Sequence, residues 1–173
     1  MLDLKRYIRA IAGFPKPGIV FKDLTPLLAD AAAFHATIDQ LADPYRGRVD
    51  VVLGIESRGF ILGAAVAYSL GRGVALVRKA GKLPAATYAT SYELEYGADT
   101  VEIHQDAFPR GSKVLVVDDL LATGGTARAA VDLVEQLDSE VVECAFVIEL
   151  AFLGGRRRLA PHGVFSLVSY DRD

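Results

Sequence analysis

The chain predicts an α/β fold: a single domain spanning residues 1–173, with a mostly parallel central sheet of about five strands flanked by helices, a small N-terminal hood and a flexible lid hairpin. Three observations carry this expectation. Apolar runs, Val49 to Ile55, Val114 to Val117 and Val141 to Leu150, alternate with segments whose apolar residues recur at helical spacing. Polar loops follow the strand ends, where open α/β sheets bind ligands. The 173 residues, 51% of them hydrophobic, suffice for one buried core, and no repeat, low-complexity tract or linker divides them.

Taken in order, Leu4, Tyr7, Ile8 and Ile11 have the spacing of a docking helix over Leu2 to Ile11. Gly13-Phe-Pro-Lys-Pro-Gly18 ends regular structure, because proline fixes φ and lacks a donor. Ile19 to Pro26 is short, apolar and turn-bounded, and suits an edge strand or a hood over the core, so residues 1–30 read as helix and hood. Ala31 to Leu41 places Phe34, Ile38 and Leu41 on one helix face, with Asp30 as its cap; His35, without a second ligand at metal spacing, is a surface or packed residue. The strand Val49 to Ile55 passes through Glu56-Ser-Arg-Gly-Phe60 into an apolar helix, Ala64 to Leu70. Gly73 to Arg78 is a third strand and runs into Arg78-Lys-Ala-Gly-Lys82.

Residues 80–104 form a lid loop and hairpin. Leu83 to Tyr96 mixes alanines and hydroxyl residues with Tyr88, Tyr92 and Tyr96, which is more than a linker needs. Thr100 to His104 alternates Val101 and Ile103 with Glu102 and His104, which puts His104 on the exposed side. After Thr126, the spacing of Ala130, Leu133, Val134 and Leu137 makes a helix; Val141 to Leu150 is a central strand that buries the single cysteine, Cys144. Gly154-Gly-Arg-Arg-Arg-Leu159 starts a short helix whose three arginines are assigned to a solvated face, and Val164 to Ser169 is the last strand.

The segment with the most chemistry is Val114-Leu-Val-Val-Asp-Asp-Leu-Leu-Ala-Thr-Gly-Gly-Thr126. Gly124 and Gly125 let the backbone approach a ligand, and the N–H groups of a helix start, with the hydroxyls of Thr123 and Thr126, suit a phosphate. Asp118 and Asp119 would repel that phosphate, so the ligand must offer them hydroxyl donors or a Mg2+ ion. A ribose 5-phosphate combines both features: phosphate on Ala122, Thr123, Gly124, Gly125 and Thr126, hydroxyls on Asp118 and Asp119. Elsewhere, Arg58 suits a bidentate grip on phosphate, and Arg78, Lys79 and Lys82 add cations that could neutralise a polyphosphate. Gly81-Lys82 is followed by Leu83, which excludes a Walker loop.

Composition narrows the classes further. A net charge of −3 argues against a nucleic-acid partner. One cysteine excludes an intrachain disulfide, and the absence of a membrane-length apolar segment or a signal peptide makes the cytoplasm the expected compartment, with no membrane partner.

Val-Val-Asp-Asp-Leu-Leu-Ala-Thr-Gly-Gly-Thr resembles the phosphoribosyl pyrophosphate (PRPP) motif of type I phosphoribosyltransferases. Two further stretches, Phe14-Pro-Lys-Pro-Gly18 with Phe21-Lys-Asp23 and Tyr92-Glu-Leu-Glu-Tyr-Gly97, resemble the adenine phosphoribosyltransferase family within that group. The resemblance runs from Gly13 to the Gly154-Gly155 turn. It implies the type I fold and transfer of 5-phosphoribosyl from PRPP to adenine, giving AMP and pyrophosphate, with Mg2+ held mainly by PRPP and water near Asp118 and Asp119 rather than by direct protein ligands.

It also implies roles. Val20 and Lys22 would meet the adenine edge through their backbone, with Phe21 on the ring face and Leu121 beside it. Glu56, Ser57, Arg58 and Gly59, with a cis peptide between Glu56 and Ser57, would receive pyrophosphate together with Arg78, Lys79 and Lys82. Arg58 and Lys82 would assist departure, Glu95 would handle the purine proton, and Tyr96 would close the lid. A homodimer through the Gly59 to Leu70 region is implied as well. Two alternatives stay open: a 6-oxopurine phosphoribosyltransferase, and a non-enzymatic PRPP-sensing regulator on the same fold.

Overall fold

The structure, a computed structural model, describes residues 2–93 and 98–172. A single turn of 3-10 helix, Leu4–Tyr7, precedes strand β1 (Arg9–Ala12), which pairs antiparallel with β2 (Val20–Asp23). The expected helix over Leu2 to Ile11 is therefore corrected. Its apolar spacing is overridden by tertiary pairing: Arg9 lies opposite Asp23 and donates to its carboxylate from Nε at 3.0 Å and Nη2 at 2.6 Å. Next come α1 (Thr25–Ala29) and α2 (Ala31–Ala42), the latter capped as expected by Asp30, whose side chain accepts from Ala33 N–H at 2.9 Å, a cap of about 1 kcal/mol.

The main body continues with β3 (Val51–Ile55), α3 (Arg58–Leu70), β4 (Gly73–Lys79), β5 (Thr87–Glu93), β6 (Ala98–His104), β7 (Lys113–Leu121), α4 (Gly125–Gln136), β8 (Glu140–Leu150), α5 (Gly155–Leu159) and β9 (Val164–Tyr170). Seven strands form one sheet in the order β5-β6-β4-β3-β7-β8-β9. The five from β4 to β9 are mutually parallel, and β6 with β5 extends the sheet antiparallel. This is the mostly parallel sheet of about five strands with an added hairpin that the sequence predicts.

Alternation along the buried strands serves two cores. Val114 and Val116 join Leu53, Val77, Phe146 and α4 on one face, whereas Leu115 and Val117 join Val52, Val147 and helices α1 to α3 on the other. Three boundaries move in ways that matter to function. Helix α3 begins at Arg58 rather than Ala64, β7 runs on through Asp118 and Asp119 to Leu121, and Thr87–Glu93 is a strand in the sheet rather than loose chain. His104 is also corrected: it is half-buried, and its Nε2 has no hydrogen-bond partner among the described residues. No helix among the described residues is long and apolar enough to cross a membrane.

Candidate active site

The carboxyl ends of β3, β4 and β7 open into a cavity of about 470 Å³, lined by Glu56, Ser57, Arg58, Lys79, Tyr92, Asp99, Val101, Asp118, Asp119, Leu120 and Thr126. A second hollow of about 90 Å³ adjoins it, walled by Asp118 and the stretch from Leu120 to Ala127. The residues that the sequence assigns to ribose and phosphate and the Glu56-Ser57-Arg58 turn thus meet at one place, contributed by adjacent parallel strands.

The smaller hollow is made of backbone. Gly124 takes a left-handed conformation (φ 82°), and no side chain caps α4, so the first N–H groups of the helix are left for a ligand. Packing around this turn leaves no room for side chains: a Cβ on Gly155 would stand 2.3 Å from the Ala122 carbonyl oxygen, and one on Gly124 would stand 2.8 Å from the Gly155 carbonyl oxygen. The ring of Tyr92 covers another side, 3.1 Å from where a Gly125 Cβ would be.

At the base of the larger cavity, Asp118 Oδ1 accepts from the Asp119 N–H at 2.8 Å. Burial first, and then the neighbouring Asp119 charge, push the Asp118 carboxyl well above its ordinary pKa. Gly59 fits behind it, since a Cβ there would lie 2.8 Å from Asp118 Oδ1. Arg58 Nε stands 2.5 Å from Asp119 Oδ2, an ion pair without hydrogen-bond geometry, so that buried oxygen has no donor among the described residues. The Arg58 guanidinium also lies 5.5 Å from the ring centre of Phe21, which joins the hood to the cavity floor.

The opposite wall is built from charged side chains. The peptide between Glu56 and Ser57 is cis. The Glu56 carboxylate accepts from Arg78 Nε at 3.3 Å, from the Lys79 N–H at 2.9 Å and from Lys82 Nζ. Desolvation raises its pKa, but the Lys82 and Lys79 hydrogen bonds and the two side-chain charges outweigh that and hold the group below the usual carboxylate range. Lys79 Nζ pairs with Asp99 Oδ2 at 2.9 Å, which raises the lysine and lowers the aspartate. Arg78 and Lys82 do not line the cavity themselves; Glu56 ties them to its rim.

Lys22 is buried, and its ammonium lies 4.8 Å from the centre of the Tyr170 ring, which also takes Lys5 at 5.2 Å. Its side chain is thereby committed to β9. Leu121, 1% exposed, packs 3.0 Å from where a Gly155 Cβ would be and walls the smaller hollow, whereas Leu120 lines both hollows. Glu95 and Tyr96 lie outside the described residues. Four lining residues fall outside the sequence expectation: Tyr92, Asp99, Val101 and Leu120. For two of them a signal exists, since Tyr92 pairs with Asp99 in the row where Tyr88 meets Ile103 and Thr90 meets Val101, so an acid ends an otherwise inward-facing row.

The three arginines of α5 are exposed, as the sequence predicts, yet two of them have definite surroundings. Arg156 binds Glu149 at 3.0 and 2.6 Å and the Val164 carbonyl at 2.6 Å, and Arg158 stands beside the phosphate-shaped hollow, its Nη1 3.6 Å from where a Gly125 Cβ would be.

Residues 21–166 match the phosphoribosyl transferase domain family. The chain is 57% identical over 171 residues to the adenine phosphoribosyltransferase of Geobacter metallireducens, covering 98% of this chain and 100% of that protein. The crystal structure of adenine phosphoribosyltransferase from Thermoanaerobacter pseudethanolicus superposes with a TM-score of 0.93 at 50% identity, over 96% of this chain and 98% of that one. The Saccharomyces cerevisiae enzyme, solved with adenine and an iminoaltritol bisphosphate, gives 0.90 at 44% identity over 95% and 96%.

Proposed function

The chain belongs to the adenine phosphoribosyltransferase family of phosphoribosyl transferase domains, and from that premise we propose that it transfers the 5-phosphoribosyl group of PRPP to adenine, releasing pyrophosphate. The observation that carries this proposal is the pair of adjoining hollows in which a backbone phosphate site, an acidic floor and a cationic rim stand in sequence. PRPP has the same order of groups: 5-phosphate, ribose hydroxyls, pyrophosphate.

Displacement at the anomeric carbon builds positive charge on the ribose, so catalysis rests on holding the groups in line and on electrostatics. In this assignment the 5-phosphate takes the N–H groups of Ala122 to Thr126 and the hydroxyls of Thr123 and Thr126. Asp118 and Asp119 receive the ribose hydroxyls, and the Asp119 charge favours the developing cation. Pyrophosphate leaves toward Ser57 and Lys79, with Arg78 and Lys82 released to it from Glu56. Adenine lies under the hood, its edge on the main chain of Val20 and Lys22; the burial of the Lys22 side chain against Tyr170 supports a backbone contact. Glu95 manages the proton on the purine nitrogen, and Tyr96 closes over it.

Among the described residues no three His, Cys, Asp or Glu side chains converge on a metal position, while Asp119 Oδ2 is buried without a donor. That pattern suits Mg2+ carried in on substrate oxygens and water, with Asp118 and Asp119 as outer acceptors. When bound, the ion offsets pyrophosphate charge. A homodimer belongs to the same proposal. Ile61 and Tyr68, 50% and 90% exposed, share one face of α3 with Ala65, and Val74 and Leu76 of β4 stand uncovered on the sheet face that α3 packs against. We assign the reaction to the cytoplasm.

Incubation of the purified protein with PRPP, Mg2+ and adenine, hypoxanthine, guanine or xanthine, with nucleotides read by mass, tests the proposal. AMP from adenine alone is expected. Nucleotide from hypoxanthine but not adenine would replace it with the 6-oxopurine reaction, and PRPP binding without any product would leave a PRPP sensor.

A further inference from the structure

Helix α5 is seated on the phosphate-shaped hollow by contact too close for any side chain but hydrogen at Gly155, whose Cα lies 3.1 Å from where a Gly124 Cβ would be. Its rotation about its own axis is set by Arg156, which is bound on the other side to Glu149 and to the Val164 carbonyl. Residues two apart on a helix are turned by about 200°, so fixing Arg156 toward β8 and β9 turns Arg158 the opposite way. There its Cβ comes within 3.3 Å of the Gly124 Cβ position and its Nη1 within 3.6 Å of the Gly125 position. Arg158 is exposed and makes no hydrogen bond or ion pair with any described residue. Neither carboxylate of the site reaches it: Asp119 is matched by Arg58, and Asp118 is held beneath Gly59.

A guanidinium beside backbone N–H groups at the start of a twelve-residue helix supplies what that backbone lacks, a full charge and a forked donor. Building on the phosphoribosyl assignment above, we infer that Arg158 is a binding residue for the 5-phosphate of the phosphoribosyl substrate and product. It closes the outer side of the hollow and makes no contact with the leaving pyrophosphate, whose partners lie at the Glu56 rim. Arg157, its neighbour, folds back over Gly154 and takes no part.

Ribose 5-phosphate separates the two ends, because it carries this phosphate and no leaving group. Calorimetric titration of the full chain with ribose 5-phosphate and, separately, pyrophosphate, both with Mg2+, is run on the wild type, R158Q, R158K and R157Q. R158Q is expected to weaken ribose 5-phosphate about tenfold and to raise KM for PRPP by a similar factor, leaving kcat and pyrophosphate affinity within about twofold. R158K is expected to recover most of the loss, and R157Q to match the wild type. Unchanged ribose 5-phosphate affinity in R158Q, equal losses for both ligands, or an equal loss in R157Q would overturn the inference while leaving the enzyme intact. A wild type that bound neither ribose 5-phosphate nor PRPP would instead remove the phosphoribosyl assignment, and Arg158 with it.

Discussion

At the Gly124 end of the cavity the anion site consists of main-chain N–H groups held by glycine contacts, whereas at the Glu56 end the cations are already bound to carboxylates. The first end is preformed: on the proposed assignment a phosphate could enter it without any side chain giving up a partner, since none caps α4. The second end must exchange ligands. On the proposed assignment, Arg78 and Lys82, paired with Glu56, and Lys79, paired with Asp99, would have to leave those carboxylates for the incoming oxygens. A preformed site holds what stays bound through the reaction, and an exchanging site suits a group that has to depart, since Glu56 and Asp99 compete for the same cations.

Four changes would break or sharpen this contrast. Gly155→Ala should have the largest effect: the added methyl would lie 2.3 Å from the Ala122 oxygen, and the displaced turn should lower kcat/KM for PRPP roughly 100-fold in steady-state assays. A loss of only a few fold would mean that the turn adapts and is not rigid. Lys82→Met should weaken pyrophosphate about tenfold by calorimetry, with ribose 5-phosphate unaffected. Glu56→Gln should act with the opposite sign, tightening pyrophosphate about threefold and slowing its release, because a competing charge is gone. Weaker pyrophosphate binding in that variant would make Glu56 a positioning group for the cations instead of their competitor.

The smallest effect concerns the hood and is a matter of pH. The Thr25 N–H first and then Arg9 hold the Asp23 carboxyl down at about 2, from an ordinary 3.8. A folded-state value below the unfolded one stabilises the protein at pH above about 4, and that stabilisation is lost as pH falls toward 2. The difference in Tm between wild type and Asp23→Asn should therefore be constant near neutrality and shrink across that interval. A difference that persists at pH 2 would assign the effect to shape and not to charge.

The same contrast explains what could be read from the sequence. Asp118 to Thr126 is legible because its chemistry is contiguous: strand, acids, glycines and helix start follow one another in thirteen residues from Val114 to Thr126. The Glu56 end is only partly legible. Arg78, Lys79 and Lys82 cluster in the chain, but that Glu56, 22 to 26 residues away, holds two of their side chains and the Lys79 N–H is a fact of the β3–β4 pairing. Arg158 was hidden for a similar reason, since nothing near it in sequence suggests an anion, and only the approach of Gly155 to Ala122 brings it there. Leu120 rather than Leu121 reaches the larger cavity because the strand persists through both, and successive strand residues point to opposite sides. The N-terminal segment failed differently: helical spacing was present, and a partner strand eleven residues on outweighed it.

The two cations on the Tyr170 ring also bear on the order of assembly. Leu4, Leu24 and Leu27 lie in one cluster with Val147 and Val168, and Lys22 rests on Tyr170, so the first thirty residues are seated by the last thirty. During synthesis at the ribosome, the segment that emerges first must wait for β8 and β9 before its place exists. The surface proposed to meet the base is thus among the last features completed, and a chain stalled before β9 would carry the Asp118 to Thr126 motif without a hood in register above it.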